Sequence, residues 1–338
     1  MPQDAYQKLS PRERIELLDA SSRKSGLAPV ILEKDYWVCR TLAILFALPD
    51  LGSHLVFKGG TSLSKVFRLI DRFSEDVDVS LHRDFLGFAA DRDPEAATGK
   101  EQRRRLDALT EASVTCIRES LLPAFRAGVE EQLGMQEGWS IELDAADTQT
   151  ILFRFPRARA QTLSYIQPVV RIELGARSDN WPREGREIRS FIGEALNLPL
   201  GLATVQALAA ERTFWEKATL LHAEAHRDTA SEMPARYARH YHDLARLAAS
   251  PMAGRALADV ELRKRVVVHK SVYFRSAWAR YDLAVPATFR LVSPAERLPA
   301  LEKDDASMQE MFFSPPPPMS EELRILTDLE TKIRQLAE

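Results

Sequence analysis

Two aspartates at alternate positions, Asp76 and Asp78, lie in the run Glu75-Asp76-Val77-Asp78-Val79. That alternation predicts a strand, in which residues i and i+2 face the same side. Two like charges on one face repel, and a divalent cation is the usual reason for such a pair. Upstream, Gly59 and Gly60 lead through Thr61 and Ser62 into an amphipathic segment. A glycine pair permits backbone conformations and a closeness of approach that a Cβ forbids. Thr61 is a suitable N-cap for a helix starting at about Ser62, whose amide end favours an anion. No Gly-Lys-Ser/Thr closes the turn, and Lys58 precedes the glycines, so this is not a Walker A loop. A backbone loop able to approach a triphosphate, followed by carboxylates able to hold Mg2+, is the layout of a nucleotidyltransferase. A third acid usually completes such a site. Glu173, in Val169-Val170-Arg171-Ile172-Glu173-Leu174, is the candidate, on the strand face opposite Ile172 and Leu174. Its structural alternative is an exposed strand residue paired with Arg171 or Arg177.

The elements that must position these residues are legible in outline. Ser10-Pro11-Arg12-Glu13 supplies an N-cap, a proline at N1 and a glutamate at N3, predicting a helix over 9–24 that Gly26 stops. A second helix is expected over 29–48, where Ile31, Tyr36, Val38, Leu42, Leu45 and Phe46 give a wide apolar stripe. Short strands are expected at 54–57, 76–81, 139–144, 150–155 and 168–174. Residues 101–133 read as one long helix with a break near Pro123, and 84–99 as a surface loop. Beyond about Leu198 the pattern reads as helical throughout, over 203–226, 232–249, 255–281 and 320–337. Pro315–Pro318 is expected to be a stiff connector before the last helix. The expected architecture is α+β: a nucleotidyltransferase domain over 1–200 and an all-helical C-terminal domain over 201–338.

A chain of 338 residues with 45% hydrophobic and 28% charged residues has the balance of an ordinary cored protein. Its net charge of −3 makes any nucleic-acid site a local patch. Cys39 and Cys116 sit in apolar helical contexts and read as free thiols. The N-terminus lacks an apolar signal region, and no apolar run approaches the ~20 residues a membrane span requires, so a cytoplasmic protein is expected.

Several blocks resemble the AbiEii/AbiGii family, the nucleotidyltransferase toxins of bacterial abortive-infection systems. They are Leu32-Glu33-Lys34-Asp35-Tyr36-Trp37, Phe57 to Lys65, Arg72-Phe73-Ser74-Glu75-Asp76-Val77-Asp78, Arg212 to His222, and Arg239-His240-Tyr241-His242-Asp243-Leu244. The resemblance implies a polymerase-β-like core of mixed sheet flanked by helices, with a helical C-terminal domain. It implies Mg2+, an NTP substrate, a tRNA 3′ end as acceptor with translation blocked, and a cognate antitoxin; a monomer without membrane association is expected. Carried over by position, Lys58, Gly59, Gly60, Thr61, Ser62 and Lys65 would hold the nucleotide, with Arg212 and Lys217 at its phosphates. Asp76, Asp78 and Glu173 would hold metal, and Asp243 would orient Lys217 or Arg212. Two departures stand out: the gap between the glycines and Asp76 is long for the wider superfamily, and the third acid is Glu rather than Asp.

Other readings attach to particular residues. A phosphate on Ser74, two residues before Asp76, would set negative charge against the metal site and the triphosphate; a serine capping a turn is the plainer reading. His222, His226, His240 and His242 lack the pattern of a zinc motif. Residues 154–189 hold eight arginines against four acids, and 263–281 interleave six basic residues with Tyr273, Phe274, Trp278 and Tyr281. Either stretch suits RNA phosphates and bases, or an ordinary helix with core aromatics and solvated cations. The rival functions are nucleotidylation of a small molecule or a protein side chain, and a catalytically silent binding protein.

Overall fold

The strand carrying Asp78 is the fourth of seven in one mixed sheet, ordered β3-β4-β5-β2-β1-β7-β6. The strands are β1 (Leu55–Lys58), β2 (Val77–Leu81), β3 (Ser140–Leu143), β4 (Thr150–Arg154), β5 (Val170–Gly175), β6 (Arg183–Ile188) and β7 (Ala203–Leu208). The computed structural model describes residues 4–96, 98–134, 138–159 and 167–336. β2 pairs antiparallel with β1 and parallel with β5, and β1 pairs parallel with β7. β3–β4, β4–β5 and β6–β7 are antiparallel. The protein is thus α+β with a mixed sheet.

Seven helices accompany the sheet in the described residues of the first compact unit: α1 (Ala5–Lys8), α2 (Pro11–Ser25), α3 (Pro29–Phe46), α4 (Gly59–Lys65), α5 (Gly99–Cys116), α6 (Leu122–Leu133) and α7 (Phe191–Leu196). This unit runs to Val66 and resumes over Phe73–Leu208. The second takes Phe67–Arg72 and the chain from Ala209 on. Its helices are α8 (Ala210–Ala225), α9 (Ala238–Ala248), α10 (Met252–Ala258), α11 (Val260–Tyr273), α12 (Leu298–Ser307) and α13 (Met319–Arg334), with no strand of a sheet among its described residues.

Three expectations need correction. The stretch 203–226 is strand β7 followed by helix α8, rather than one helix. Ala203, Val205 and Ala207 are buried while Thr204 is exposed, a period of two that a short apolar run conceals. Edge strand β6 escaped notice because Arg183-Glu184-Gly185-Arg186-Glu187 is charged; such residues blunt a sheet edge against further pairing. The expected helix over 255–281 is two helices, parted at Asp259 and ended at Tyr273. By contrast α5 and α6 are continuous through a π-helical segment, Ile117–Leu121, just upstream of Pro123. A proline ring clashes with the carbonyl four residues back and supplies no N–H, and the wider turn accommodates both.

Helix α3 is buried from Ile31 to Leu45, charged residues included. Its Glu33-Lys34-Asp35 run ties the unit together through six partners, two for each residue. Glu33 accepts from the Tyr6 hydroxyl at 3.2 Å and the Ala158 amide at 2.7 Å. Lys34 pairs with Glu75 and donates to the Gln167 carbonyl. Asp35 meets Lys65 Nζ at 2.9 Å and accepts from the Phe191 amide at 2.6 Å. Burial alone would lower the Lys65 pKa, but Asp35 reverses that and raises it. The Lys34–Glu75 pair fixes the chain immediately before Asp76. Removing one member of a buried pair strands the other charge. Asp35→Ala is therefore expected to lower the melting temperature by on the order of 10 °C. Asp35→Ala combined with Lys65→Met should lower it by distinctly less, as a double-mutant cycle by calorimetry would show.

Candidate active site

Register places the chemistry. β1 sets Lys58 opposite Asp78, β2 sets Asp78 beside Glu173, and β4 sets Thr150 opposite Glu173. Lys58, Asp78, Glu173 and Thr150 therefore form one row across four strands on a single face. Val77, Val79, Ile172 and Leu174 are buried on the other face, so a slip of one residue would bury the carboxylates. Asp76 lies just before β2, near enough for its charge to act on Glu173. Arg171 precedes Glu173 by one side-chain period, its Nε 4.0 Å from the glutamate and its Nη1 2.9 Å from Asp144. Arg171 was visible from the sequence only as a pairing partner for Glu173.

The glycine turn meets this row directly. Gly59 has φ +76°, and a Cβ there would lie 2.0 Å from Asp78 Oδ2. The Asp78 carboxylate thus occupies the space a side chain at 59 would fill. Helix α4 begins at Gly59, not Ser62, so Thr61 is not its N-cap. The Thr61 hydroxyl instead lies between Ser74 Oγ, at 2.9 Å, and the Asp76 carbonyl, tying the turn to the chain entering β2. Ser62 is buried and donates to the Gly59 carbonyl at 2.9 Å. Lys65, expected at the nucleotide, is engaged by Asp35 and lies 3.6 Å over the Phe191 ring. Ser74 is half-buried against Thr61.

Gathering three carboxylates has an electrostatic consequence. The Glu173 carboxyl is pushed up to about 7, first by burial and then by Asp78 and Asp76, with Arg171 and Lys58 partly offsetting the rise. Among the described residues no group of three or more His, Cys, Asp or Glu side chains is placed to hold a metal ion by itself. The acids are neighbours in register and in charge. Oxygen donors of this kind suit Mg2+, which takes one or two carboxylates together with substrate phosphates rather than a dedicated all-protein cage. Asp78 and Glu173, side by side in register, are oxygen donors of the type a hard divalent cation takes.

The second unit holds another charged cluster. Asp243, on α9, meets Arg72 Nε at 2.8 Å, Arg72 Nη2 at 2.8 Å and Lys217 Nζ at 2.8 Å. All three side chains are buried. Burial would raise the Asp243 pKa, but Arg72 and then Lys217 hold it far below the usual carboxylate range. Burial lowers the Lys217 pKa, with Asp243 opposing, and it pushes His240 well down. Of the two residues that Asp243 was expected to orient, Lys217 is its partner, while Arg212 pairs with Glu216 at 3.1 Å. Arg72 takes that place beside Asp243. It is held further by a β-bridge to Phe312, and neighbouring Asp71 accepts from Ser314 at 2.8 Å.

Partners in the structure bear on two weaker readings. His222 accepts the Arg290 amide at Nδ1 and donates from Nε2 to the Arg280 carbonyl, so both ring nitrogens are used; His242 pairs with Glu322. In the arginine-rich stretch 154–189, Arg154, Arg159, Arg171 and Arg186 pair with Glu142, Asp19, Asp144 and Glu184, and Arg177 donates to Thr110. Residues 160–166 of that stretch lie outside the described residues.

Two outcomes follow. Gly59→Ala should abolish nucleotidyl transfer while leaving the melting temperature within a few degrees, because the clash is confined to a positive-φ position and one carboxylate. A glutamate whose folded pKa is raised binds its proton more tightly in the native state, so it destabilises the fold as pH rises from 4.5 through 7. Without divalent ions Glu173→Gln should therefore melt higher than wild type at pH 8, by on the order of 2 °C after allowance for solvent screening. The gap should close at pH 5 and shrink when Mg2+ is added at pH 8.

A family model described as "Nucleotidyl transferase AbiEii toxin, Type IV TA system" matches residues 40–334. No curated protein matches the chain. Among solved structures, MenT4, the nucleotidyltransferase toxin Rv2826c of Mycobacterium tuberculosis H37Rv, is 17% identical with a TM-score of 0.40, over 95% of this chain and 99% of that one. JHP933 from Helicobacter pylori is 14% identical with a TM-score of 0.33, over 88% of this chain and 97% of that one.

Proposed function

The chain belongs to the AbiEii nucleotidyltransferase toxin family, and from that premise we propose that it transfers NMP from an NTP to an RNA acceptor, the tRNA 3′ end, at the Lys58–Asp78–Glu173 row. One observation carries the reading. Asp78 and Glu173, on two adjacent strands, share a sheet face, with Asp78 against a positive-φ glycine and Asp76 just before β2; burial, and then the charges of Asp78 and Asp76, push the Glu173 carboxyl up to about 7. A fold maintains such repulsion where a cation relieves it.

In this reading Asp76, Asp78 and Glu173 hold Mg2+, which when bound neutralises charge on the triphosphate and lowers the pKa of the acceptor hydroxyl. The Gly59–Gly60 backbone takes the triphosphate, and Lys58 adds positive charge at the end of the row. Glu173, or a ligand near it, helps to take the proton of the acceptor hydroxyl. The hydroxyl oxygen bonds to the α-phosphorus as the bond to the β-phosphate oxygen breaks, and pyrophosphate leaves. The protein supplies position and charge, with no covalent intermediate. Asp243 fixes Lys217 within the second unit, and Lys217 is proposed to serve the nucleotide phosphates as the family resemblance implies. A cognate antitoxin would restrain the enzyme, and translation would stop for want of a free tRNA 3′ end.

Incubation of the protein with each of four labelled NTPs and purified tRNA, with Mg2+ or with EDTA, tests this reading. Label should enter tRNA only with Mg2+, and Asp76→Asn and Asp78→Asn should each reduce it by about a thousand-fold. Label in small molecules or in protein, with none in RNA, would replace the acceptor assignment. No transfer of any kind, with toxicity retained in Asp78→Asn, would mark a silent binding protein.

A further inference from the structure

Between Arg263 and Tyr281 the chain carries six cations and no acid, in a protein whose net charge is −3. In the structure this segment also presents two large aromatics at its surface: Phe274 and Trp278 are each 41% exposed. Both are already in contact with cations. The Arg227 guanidinium lies 3.9 Å above the Trp278 ring, and Lys270 Nζ lies 4.4 Å from the Phe274 centroid. Lys264, Arg265, Arg275 and Arg280 are exposed along the same segment. The ion-pair partners of Lys264 and Arg280 are Glu261 and Asp282, just outside the segment.

The Trp278 position is built. Arg227 is held by its Nε on Glu224 at 2.7 Å, and Glu224 is wholly buried and also clamped by Arg297. The turn Ala277–Ala279 is pinned on its far side, where Arg280 adopts φ +46° and its carbonyl accepts from buried His222. A non-glycine residue in the left-handed region is an unfavourable conformation that surrounding contacts must hold. The fold thus spends a strained residue and a buried carboxylate on fixing an exposed indole with a guanidinium across one face.

From this arrangement we propose that Trp278, backed by Arg227, and Phe274 form a stacking platform for unpaired nucleotides of RNA. Lys270 and Arg275 meet the flanking phosphates. Every base has a π-face, so stacking on a fixed aromatic is tolerant of sequence, and it is available only to bases outside a duplex. Rigidity lowers the ordering cost of each contact. Nearby Val268 and Val285 are also exposed and would suit an apolar protein partner. The exposed cations Lys264, Arg265, Arg275 and Arg280, with Lys270 half-buried among them, complement a polyanion instead. The proposal rests on the reading that the acceptor is RNA, and supplies a site that would grip it.

The test uses the full-length protein and a labelled single-stranded RNA of about twelve nucleotides, by fluorescence anisotropy over a series of salt concentrations. Trp278→Ala should weaken binding about ten-fold, Phe274→Ala about three-fold, and Trp278→Phe should restore most of the loss. Lys270→Gln and Arg275→Gln should each flatten the plot of log affinity against log salt by about 0.7. The same sequence as a duplex should compete poorly. Wild-type affinity in both Trp278→Ala and Phe274→Ala, with melting temperatures unchanged, overturns the proposal and leaves the face to a protein partner. So does absence of RNA binding by the wild type. Asp78→Asn measured in parallel separates the readings: lost transfer with intact RNA affinity upholds the catalytic site whatever becomes of the platform.

Discussion

Mutual repulsion of carboxylates on one face of a sheet is the constraint that the rest of this structure serves. Asp78 and Glu173 are adjacent because β2 and β5 pair in parallel, and their register is fixed because Val77, Val79, Ile172 and Leu174 are committed to the opposite, buried face. Hydrophobic burial thereby does electrostatic work: it holds acids together that would separate if the strands were free to slide. The cost appears in Glu173, whose proton is retained to near neutrality.

The elements around the row reinforce it from several sides. Gly59 leaves room for the Asp78 carboxylate, Thr61 binds the turn to the chain before β2, and Lys34 fixes Glu75 next to Asp76. The charged run on α3 is therefore a scaffold. Its side chains are buried and paired, which accounts for a sequence block so rich in charge on a helix with no exposed face. In the second unit the same logic recurs with opposite sign: Asp243 is the anion that keeps Arg72 and Lys217 buried together. Because its carboxyl is held so low, that cluster stays intact across the neutral range and loses its stabilisation only in strong acid.

What the sequence disclosed follows from how local each feature is. The Asp76–Asp78 alternation and the Val-rich flanks disclosed strand β2, since a strand depends on a period of two. Glu173 was reachable because its strand is apolar and its neighbours alternate. Partnership across the chain was not reachable. Lys65 follows the glycine turn by only five residues, yet its ammonium goes to Asp35 on α3, and nothing local distinguishes that from a phosphate contact. For the same reason Arg72 was not singled out beside Asp243. Strand β7 was read as helix because six residues, Ala203 to Leu208, are too few to separate the two periods, and charged β6 has no apolar period at all. The basic–aromatic segment shows the opposite case. Composition singled it out, but only the fixed turn at Ala277–Ala279 separates exposed Trp278 from buried Tyr273.

The most direct measurement of the central claim is a titration of the Glu173 side-chain carboxyl by carbon-13 NMR, with and without Mg2+. Without the cation the account predicts a midpoint near 7 that drops in Asp78→Asn, and with Mg2+ a midpoint displaced into the ordinary carboxylate range or below. A midpoint near 4.5 without metal, indifferent to both Asp78 and Mg2+, would contradict it.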